Sequence, residues 1–204
     1  LSIRRQRQMC IRDRLYTGLV EFGVGLIPAG GGTKEMARRI SERGIAGDVE
    51  LNMLQKVYMN IATAKVSGSA YEAVDLYYIK NGAPISMNRA NQITDAKDLA
   101  KLMANRGYVA PQPTPIKVQG KTGLAGLNVA AHQMLEGGYI SEHDKLIAEK
   151  LAYVICGGAL SAPQNVSEQY LLDLEREAFL SLLGEHKTLE RINAVLTGKK
   201  VVRN

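Results

Sequence analysis

Residues 20 to 36 read VEFGVGLIPAGGGTKEM. A proline followed closely by three consecutive glycines supports neither a helix interior nor a strand interior, so Pro28 to Gly32 has to be a tight loop. The apolar residues Leu19 to Phe22 before it predict a short strand. The run from Thr33 predicts a helix, with Glu35 in the first turn, where a carboxylate meets the positive end of the helix dipole. Gly44 and Gly47 close that helix. Any fold available to this chain must accommodate strand, glycine loop and helix in that order.

Beyond this helix the chain reads as mostly helical. Leu54, Val57, Tyr58 and Ile61 recur at i, i+3, i+4 and i+7, the stripe of an amphipathic helix. Ser69 and Glu72 have capping-box spacing, which predicts a helix through AYEAVDLYYI until NGAP breaks it. A further helix is expected over 95–106, entered at Thr94 and stopped at Gly107. APQPTP at 110–115 forbids helix and predicts an extended connector. Helices are expected after it at 125–136, 142–156 after Ser141, 167–183 and 187–197, with Leu171, Leu174, Ala178 and Leu182 on one face of the third. A single short strand cannot satisfy its own ladder, so its partners are expected upstream and the sequence reads as a C-terminal fragment.

Charge narrows the partners. The chain of 204 residues carries a formal +6, but its first fourteen residues hold five arginines against one aspartate, leaving only +2 on the remainder. A basic face for nucleic acid is therefore not expected. That opening segment lacks the apolar core of an export signal, and RQRQMCIRDR resembles translated adapter sequence, so residues 1–14 are read as foreign to the protein. No apolar run approaches the length of a membrane span. Cys10 lies in the suspect segment, and Cys156, after LAYVI, reads as a small core hydrophobe suited to reducing, cytoplasmic conditions.

The chemistry narrows in the same way. Gly23-x-Gly25-x-x runs into Pro28 instead of the third glycine of a dinucleotide fingerprint. Gly120-Lys121-Thr122 lacks the earlier glycine of a phosphate loop, because that position is Pro115, and an ordinary turn is expected there. His132, His143 and His186 are scattered, without ligand spacing, so each reads as a surface or helix-end residue and no metal site is implied. No serine sits in G-x-S-x-G. Glu21 remains. Between Val20 and Phe22 at a strand end, it is either a desolvated acid able to give and take protons or a glutamate on the solvent face of an edge strand. Gly23 and Gly25 would let backbone approach closely, Pro28 sets the turn, and Gly30, Gly31 and Gly32 bring a helix N-terminus to the site, where free N–H groups could hold a water or a polar substrate atom.

These residues resemble a family. VEFGVGLIPAGGGTKEM is similar to the stretch of crotonase-fold enoyl-CoA hydratases and isomerases in which P-E-x-x-x-G-x-x-P-G-x-G-G-T follows a strand and opens a helix. Glu21, Gly25, Pro28, Gly31, Gly32 and Thr33 stand at the matching positions, and the likeness continues through VSGSAYEAVDLYYI and the C-terminal EREAFLSLLGEHKTLERINAVLTGKKVVRN. AKVSGSAYEA, ISMNRANQITDAK and REAFLSL resemble more narrowly the end of a bacterial protein in which a 3-hydroxyacyl-CoA dehydrogenase is fused to an enoyl-CoA hydratase.

The resemblance implies a truncated α/β crotonase-like fold whose retained part is mostly helical. It divides the chain into 15–109 as the end of the crotonase core, 110–120 as connector and 121–204 as a helical region. It implies fatty-acid β-oxidation: addition of water across the C2–C3 double bond of an enoyl-CoA thioester. Glu21 would be the glutamate that handles the C2 proton, and the Ala29 N–H would help hold the water. Val20 and Ala29 depart from the family's proline and glycine, so Ala29 must accept the glycine's backbone angle. By the resemblance, the first glutamate and both oxyanion donors belong to segments before Glu21, so the chain alone is expected to be inactive. No cofactor is expected in it; NAD would belong to the dehydrogenase module. Expected partners are an acyl-CoA substrate and that dehydrogenase domain, with a homo-oligomer left open. An enoyl-CoA isomerase and a non-catalytic helical packing segment are the alternatives.

Overall fold

The computed structural model describes residues 11–12, 15–44, 50–200 and 202–204. They group into two compact units: the described residues up to Gly18 with Val66–Pro113, and Leu19–Lys65 with Thr114–Asn204. The break after Pro113 falls inside the expected connector, but Leu19–Lys65 joins the C-terminal helices instead of the residues next to it in sequence.

In the first unit, β1 (Ile11–Arg12) pairs in parallel with β4 (Ile85–Ser86), and β2 (Thr17–Gly18) pairs antiparallel with β3 (Val66–Ser67). The buried Ser67 hydroxyl accepts from the Thr17 N–H at 3.3 Å and lies 3.0 Å from the Leu15 carbonyl. The other residues of 1–14, Cys10 among them, lie outside the described residues. Helix α3 (Ala70–Asp75) is capped by Ser69, whose hydroxyl accepts from the Glu72 N–H at 3.0 Å. It stops well short of NGAP, because Tyr77 turns left-handed at φ 67 and so frees Tyr78 and Ile79 to be buried. Helix α4 (Gln92–Asn105) starts earlier than expected and has no fully buried side chain.

The second unit holds the glycine loop. Here the expected strand at Leu19–Phe22 is replaced by a 3₁₀ turn, Glu21–Val24. Gly23 N–H donates to Val20 C=O at 3.0 Å and Gly25 N–H to Phe22 C=O at 3.1 Å, so the glycines close the backbone on itself before it can extend. The strand that does form, β2, finds its partner downstream in β3, and the premise that partners must lie upstream is removed.

The helices of this unit are α1 (Gly32–Arg43), α2 (Glu50–Ala62), α5 (Gly120–Glu136), α6 (Glu142–Ile155), α7 (Glu168–Leu183) and α8 (His186–Leu196), the last of which packs on the turn. Helix α6 sits at the centre, touching α1, α2, α5 and α7. The stripe Leu54, Val57, Tyr58 and Ile61 is buried as its spacing predicts, and so are Leu171, Leu174, Ala178 and Leu182. Met36, Ala37 and Ile40 bury one side of α1. That helix packs on α6, α7 and the strand β5 (Ile116–Val118), which explains why this segment groups with the C-terminal helices.

The strand β5 begins inside the expected connector. It pairs antiparallel with β6 (Gln164–Val166), burying Ile116 and Val118. Gly120, Lys121 and Thr122 form the first turn of α5 and not an ordinary turn, with the Lys121 N–H bound to Leu160 C=O at 2.8 Å. Cys156 is fully buried, and burial pushes its thiol up to about 12, which fits an inert core residue. No described helix is long and apolar enough to cross a membrane.

Candidate functional site

Glu21 opens the 3₁₀ turn. Phe22 beside it is buried and anchors the turn from below, while Glu21 itself is half-buried. Its Oε2 is buried without a hydrogen-bond partner; among the described residues only the Asn128 Oδ1 shares that condition. A buried carboxylate oxygen left without a donor costs free energy unless something fills the need, so such an atom marks a place for a ligand or water. The expected location at the end of a strand is wrong, but a sheltered acid oxygen is there.

The turn ends at Gly25, left-handed at φ 87. The Leu26 N–H reaches back to Glu21 C=O at 3.1 Å, so Gly25 lies inside a closed hydrogen-bonded ring that includes Glu21. Gly25 is glycine for two reasons. Its φ disfavours any L side chain, and an added Cβ would sit 2.9 Å from Thr188 Oγ1 and 3.1 Å from Thr188 Cα. Gly25→Ala is accordingly expected to cost about 2 kcal/mol or more in chemical denaturation. Gly23→Ala, whose Cβ meets nothing within 4 Å, should leave the midpoint nearly unchanged.

The glycines after Pro28 have separate tasks. Gly31 is left-handed at φ 87, and an added Cβ on Gly32 would meet Pro28 Cβ at 2.8 Å. Thr33 folds back, its hydroxyl donating to Pro28 C=O at 2.9 Å. Ala29 lies outside the left-handed region, where Ala64 and Tyr77 are the described non-glycine residues, so the substitution noted in the sequence carries no backbone strain.

The amides of this loop divide into two groups. Glu175, fully buried on α7, accepts from the N–H groups of Gly31 at 3.0 Å, Thr33 at 2.7 Å and Lys34 at 3.2 Å. The helix N-terminus expected to serve a water or substrate is thus capped by an internal carboxylate, an N-cap supplied from about 140 residues away. Burial pushes the Glu175 carboxyl up, against the pull of these three donors and of Lys34. The N–H groups of Ala29 and Gly30 make no hydrogen bond among the described residues. The Gly32 N–H is likewise unbonded, so of the donors anticipated from sequence Ala29, Gly30 and Gly32 remain available, and Gly30 is exposed.

Charge fixes the helix after the loop. Lys34, nearly fully buried, meets Glu168 at 3.2 Å and Glu35 at 3.6 Å. Burial works to raise the Glu35 carboxyl, but the hydrogen bond from Arg38 and the charges of Arg39, Arg38 and Lys34 outweigh it and bring it down to about 2. Behind the turn, the Thr188 hydroxyl donates to Gly25 C=O at 2.9 Å, and His143 Nε2 lies 2.9 Å from the same hydroxyl. His143 stands in the first turn of α6, a helix end as expected, but is buried, whereas His132 and His186 are exposed on helices. Among the described residues no cluster of His, Cys, Asp and Glu could hold a metal. Gly23-x-Gly25 does not fit a dinucleotide either, because the turn follows no strand directly and Thr188 closes off Gly25.

Glu175, Thr188 and His143 were not singled out for these contacts by sequence. Only Glu175 left a trace there, as a charged residue on the apolar face shared by Leu171, Leu174 and Ala178.

No protein-family model matches the chain. The chain is similar to segments of large enzymes of fatty-acid metabolism. Over 189 residues, 93% of its length, it is 47% identical to a protein of Bacillus subtilis (strain 168) named "Probable 3-hydroxyacyl-CoA dehydrogenase", and it covers 24% of that protein. It is 29% identical over 184 residues to the "Putative fatty acid oxidation complex trifunctional enzyme" of Rickettsia felis, and 27% identical to the protein of the same name in Rickettsia prowazekii, covering 22% of each. The chain thus spans about a quarter of the length of the curated relatives it matches.

Proposed function

We propose that this chain is part of a fatty-acid oxidation enzyme and forms the later portion of a crotonase-like enoyl-CoA hydratase module in it. The similarity to segments of a dehydrogenase and of trifunctional enzymes supports the setting. The buried, unpartnered Oε2 of Glu21 is the observation that carries the chemistry. In this reading water adds across the C2–C3 double bond of an enoyl-CoA thioester: its oxygen bonds to C3, its proton is taken up by a base, and C2 receives a proton. Glu21 manages the proton at C2, and the free Ala29 N–H holds the water oxygen. Glu175 has the supporting task of fixing the α1 N-terminus so that the Pro28–Gly32 loop keeps one shape. Residues outside this chain supply the remaining groups, and a dehydrogenase module in the same polypeptide would bind its own NAD.

The test is hydration of crotonyl-CoA by the full-length enzyme carrying Glu21→Gln. The amide keeps the volume and can neither accept nor release a proton near neutral pH, so kcat should fall by about 10²-fold or more. A kcat within about threefold of wild type would remove the proton-transfer role.

A further inference from the structure

The end of the Glu21 turn is held by a buried relay that comes from two other helices. We propose that Thr188, oriented by His143, is a positioning residue for Glu21; this rests on the reading of Glu21 as the proton-transfer group. Gly25 C=O is a buried carbonyl at the end of a 3₁₀ turn and needs a donor, and the Thr188 hydroxyl supplies it at 2.9 Å. A threonine hydroxyl has one proton. With that proton given to Gly25, the 2.9 Å contact to His143 Nε2 has to be donated by the ring, which assigns His143 the tautomer protonated on Nε2. Thr188 is fully buried and His143 nearly so, leaving little room for a water to replace either bond.

Two features make this more than a packing contact. Gly25 lies within the ring closed by the Leu26 N–H to Glu21 C=O bond, so a shift of the Gly25 carbonyl is passed to the Glu21 backbone. The α8 backbone also abuts Gly25, since Thr188 Cα lies 3.1 Å from where a Cβ would stand, and the carbonyl cannot move toward α8 to compensate for a lost hydroxyl. Thr188→Val keeps the shape and removes the donor. Small displacements of a catalytic group cost rate more than ground-state binding.

The experiment is crotonyl-CoA hydration by the full-length enzyme as Thr188→Val, Thr188→Ser, Glu21→Gln and the Thr188→Val/Glu21→Gln double variant, with rates expressed per folded protein. Thr188→Val should lower kcat about tenfold with KM within about twofold. Thr188→Ser should restore kcat, and Thr188→Val should add nothing further once Glu21 is glutamine. Thr188→Val with wild-type kcat, or effects of the two substitutions that multiply, would overturn the proposal and leave Thr188 a structural anchor. If Thr188→Val does not fold, His143→Gln against His143→Leu makes the same comparison, because the glutamine amide can donate to Thr188 and leucine cannot; equal kcat for the two would overturn it. An unimpaired Glu21→Gln enzyme overturns the hydratase reading itself, whereas an impaired Glu21→Gln beside an unimpaired Thr188→Val overturns only this inference.

Discussion

Asp144→Ala is expected to destabilise the chain by about 3–5 kcal/mol, measured by chemical denaturation at neutral pH. Asp144 sits at the start of α6 in a complete capping box: its N–H donates to Ser141 Oγ at 3.1 Å, and its Oδ2 accepts the Ser141 N–H at 3.2 Å. Its other oxygen accepts from Arg191 Nη1 at 2.7 Å, and the Arg191 side chain is fully buried. Further bonds of that guanidinium go to Asn204, from Nε to Oδ1 at 2.9 Å and from Nη2 to the backbone carbonyl at 3.2 Å. Removing the carboxylate strands a cation inside the protein and takes with it the half of the capping box that the Asp144 side chain supplies. Arg191→Met removes the cation but leaves the buried Asp144 carboxylate with the Ser141 N–H and with Arg203, 3.6 Å away, and should cost less.

The pH dependence comes from the same contacts. Burial works to raise the Asp144 carboxyl, but the hydrogen bonds from Arg191 and the Ser141 amide, with the charges of Arg191 and Arg203, hold it below the usual carboxylate range. A carboxyl lowered by folding stabilises the native state above its unfolded value, near pH 4, and loses that contribution as pH falls through the lower folded value. The gap in stability between wild type and Asp144→Ala should therefore be constant near neutrality and narrow below about pH 4. A gap that stayed constant into acid would show that the cost comes from shape and not from charge.

Glu175→Ala should cost about 3–4 kcal/mol, because it leaves the N–H groups of Gly31 and Lys34 without an acceptor and Thr33 with only its long 3.3 Å bond to Pro28 C=O, and opens a cavity between α1 and α7. Glu175→Gln keeps one acceptor oxygen but turns an NH₂ toward one of the donors, so about half the loss should return. Its linkage runs opposite to that of Asp144. Burial, the leading cause, raises the Glu175 carboxyl, so its contribution is fullest below the ordinary glutamate value and declines as pH rises through the raised one. Hydrogen exchange at the α1 N-terminus would locate the damage: protection there should fall in Glu175→Ala while α6 stays protected.

Sequence determined the helices, because their information is local. Period, caps and breakers each act within a few residues, and the buried stripes of α2 and α7, the Ser69 and Ser141 caps and the break at APQPTP are all where that chemistry puts them. The same locality explains the errors. Leu19 to Phe22 has strand-like apolar residues, but the hydrogen bonds that closed it into a turn depend on Gly23 and Gly25 together. The helix through AYEAVDLYYI ended early where Tyr77 accepted a left-handed angle to bury its successors.

The site divides along that line as well. Sequence alone determined that an acid at position 21 precedes a glycine loop that carries almost no side chains, since residue type and spacing are enough for that. Only the tertiary structure decided which amides of that loop are free, because the carboxylate that occupies three of them arrives on α7, and which groups hold the turn, because Thr188 and His143 come from α8 and α6. Those partners lie more than a hundred residues from the loop they serve. A hydrogen bond over such a span leaves no periodic mark on the chain; it exists only once packing has brought donor and acceptor to within about 3 Å of each other.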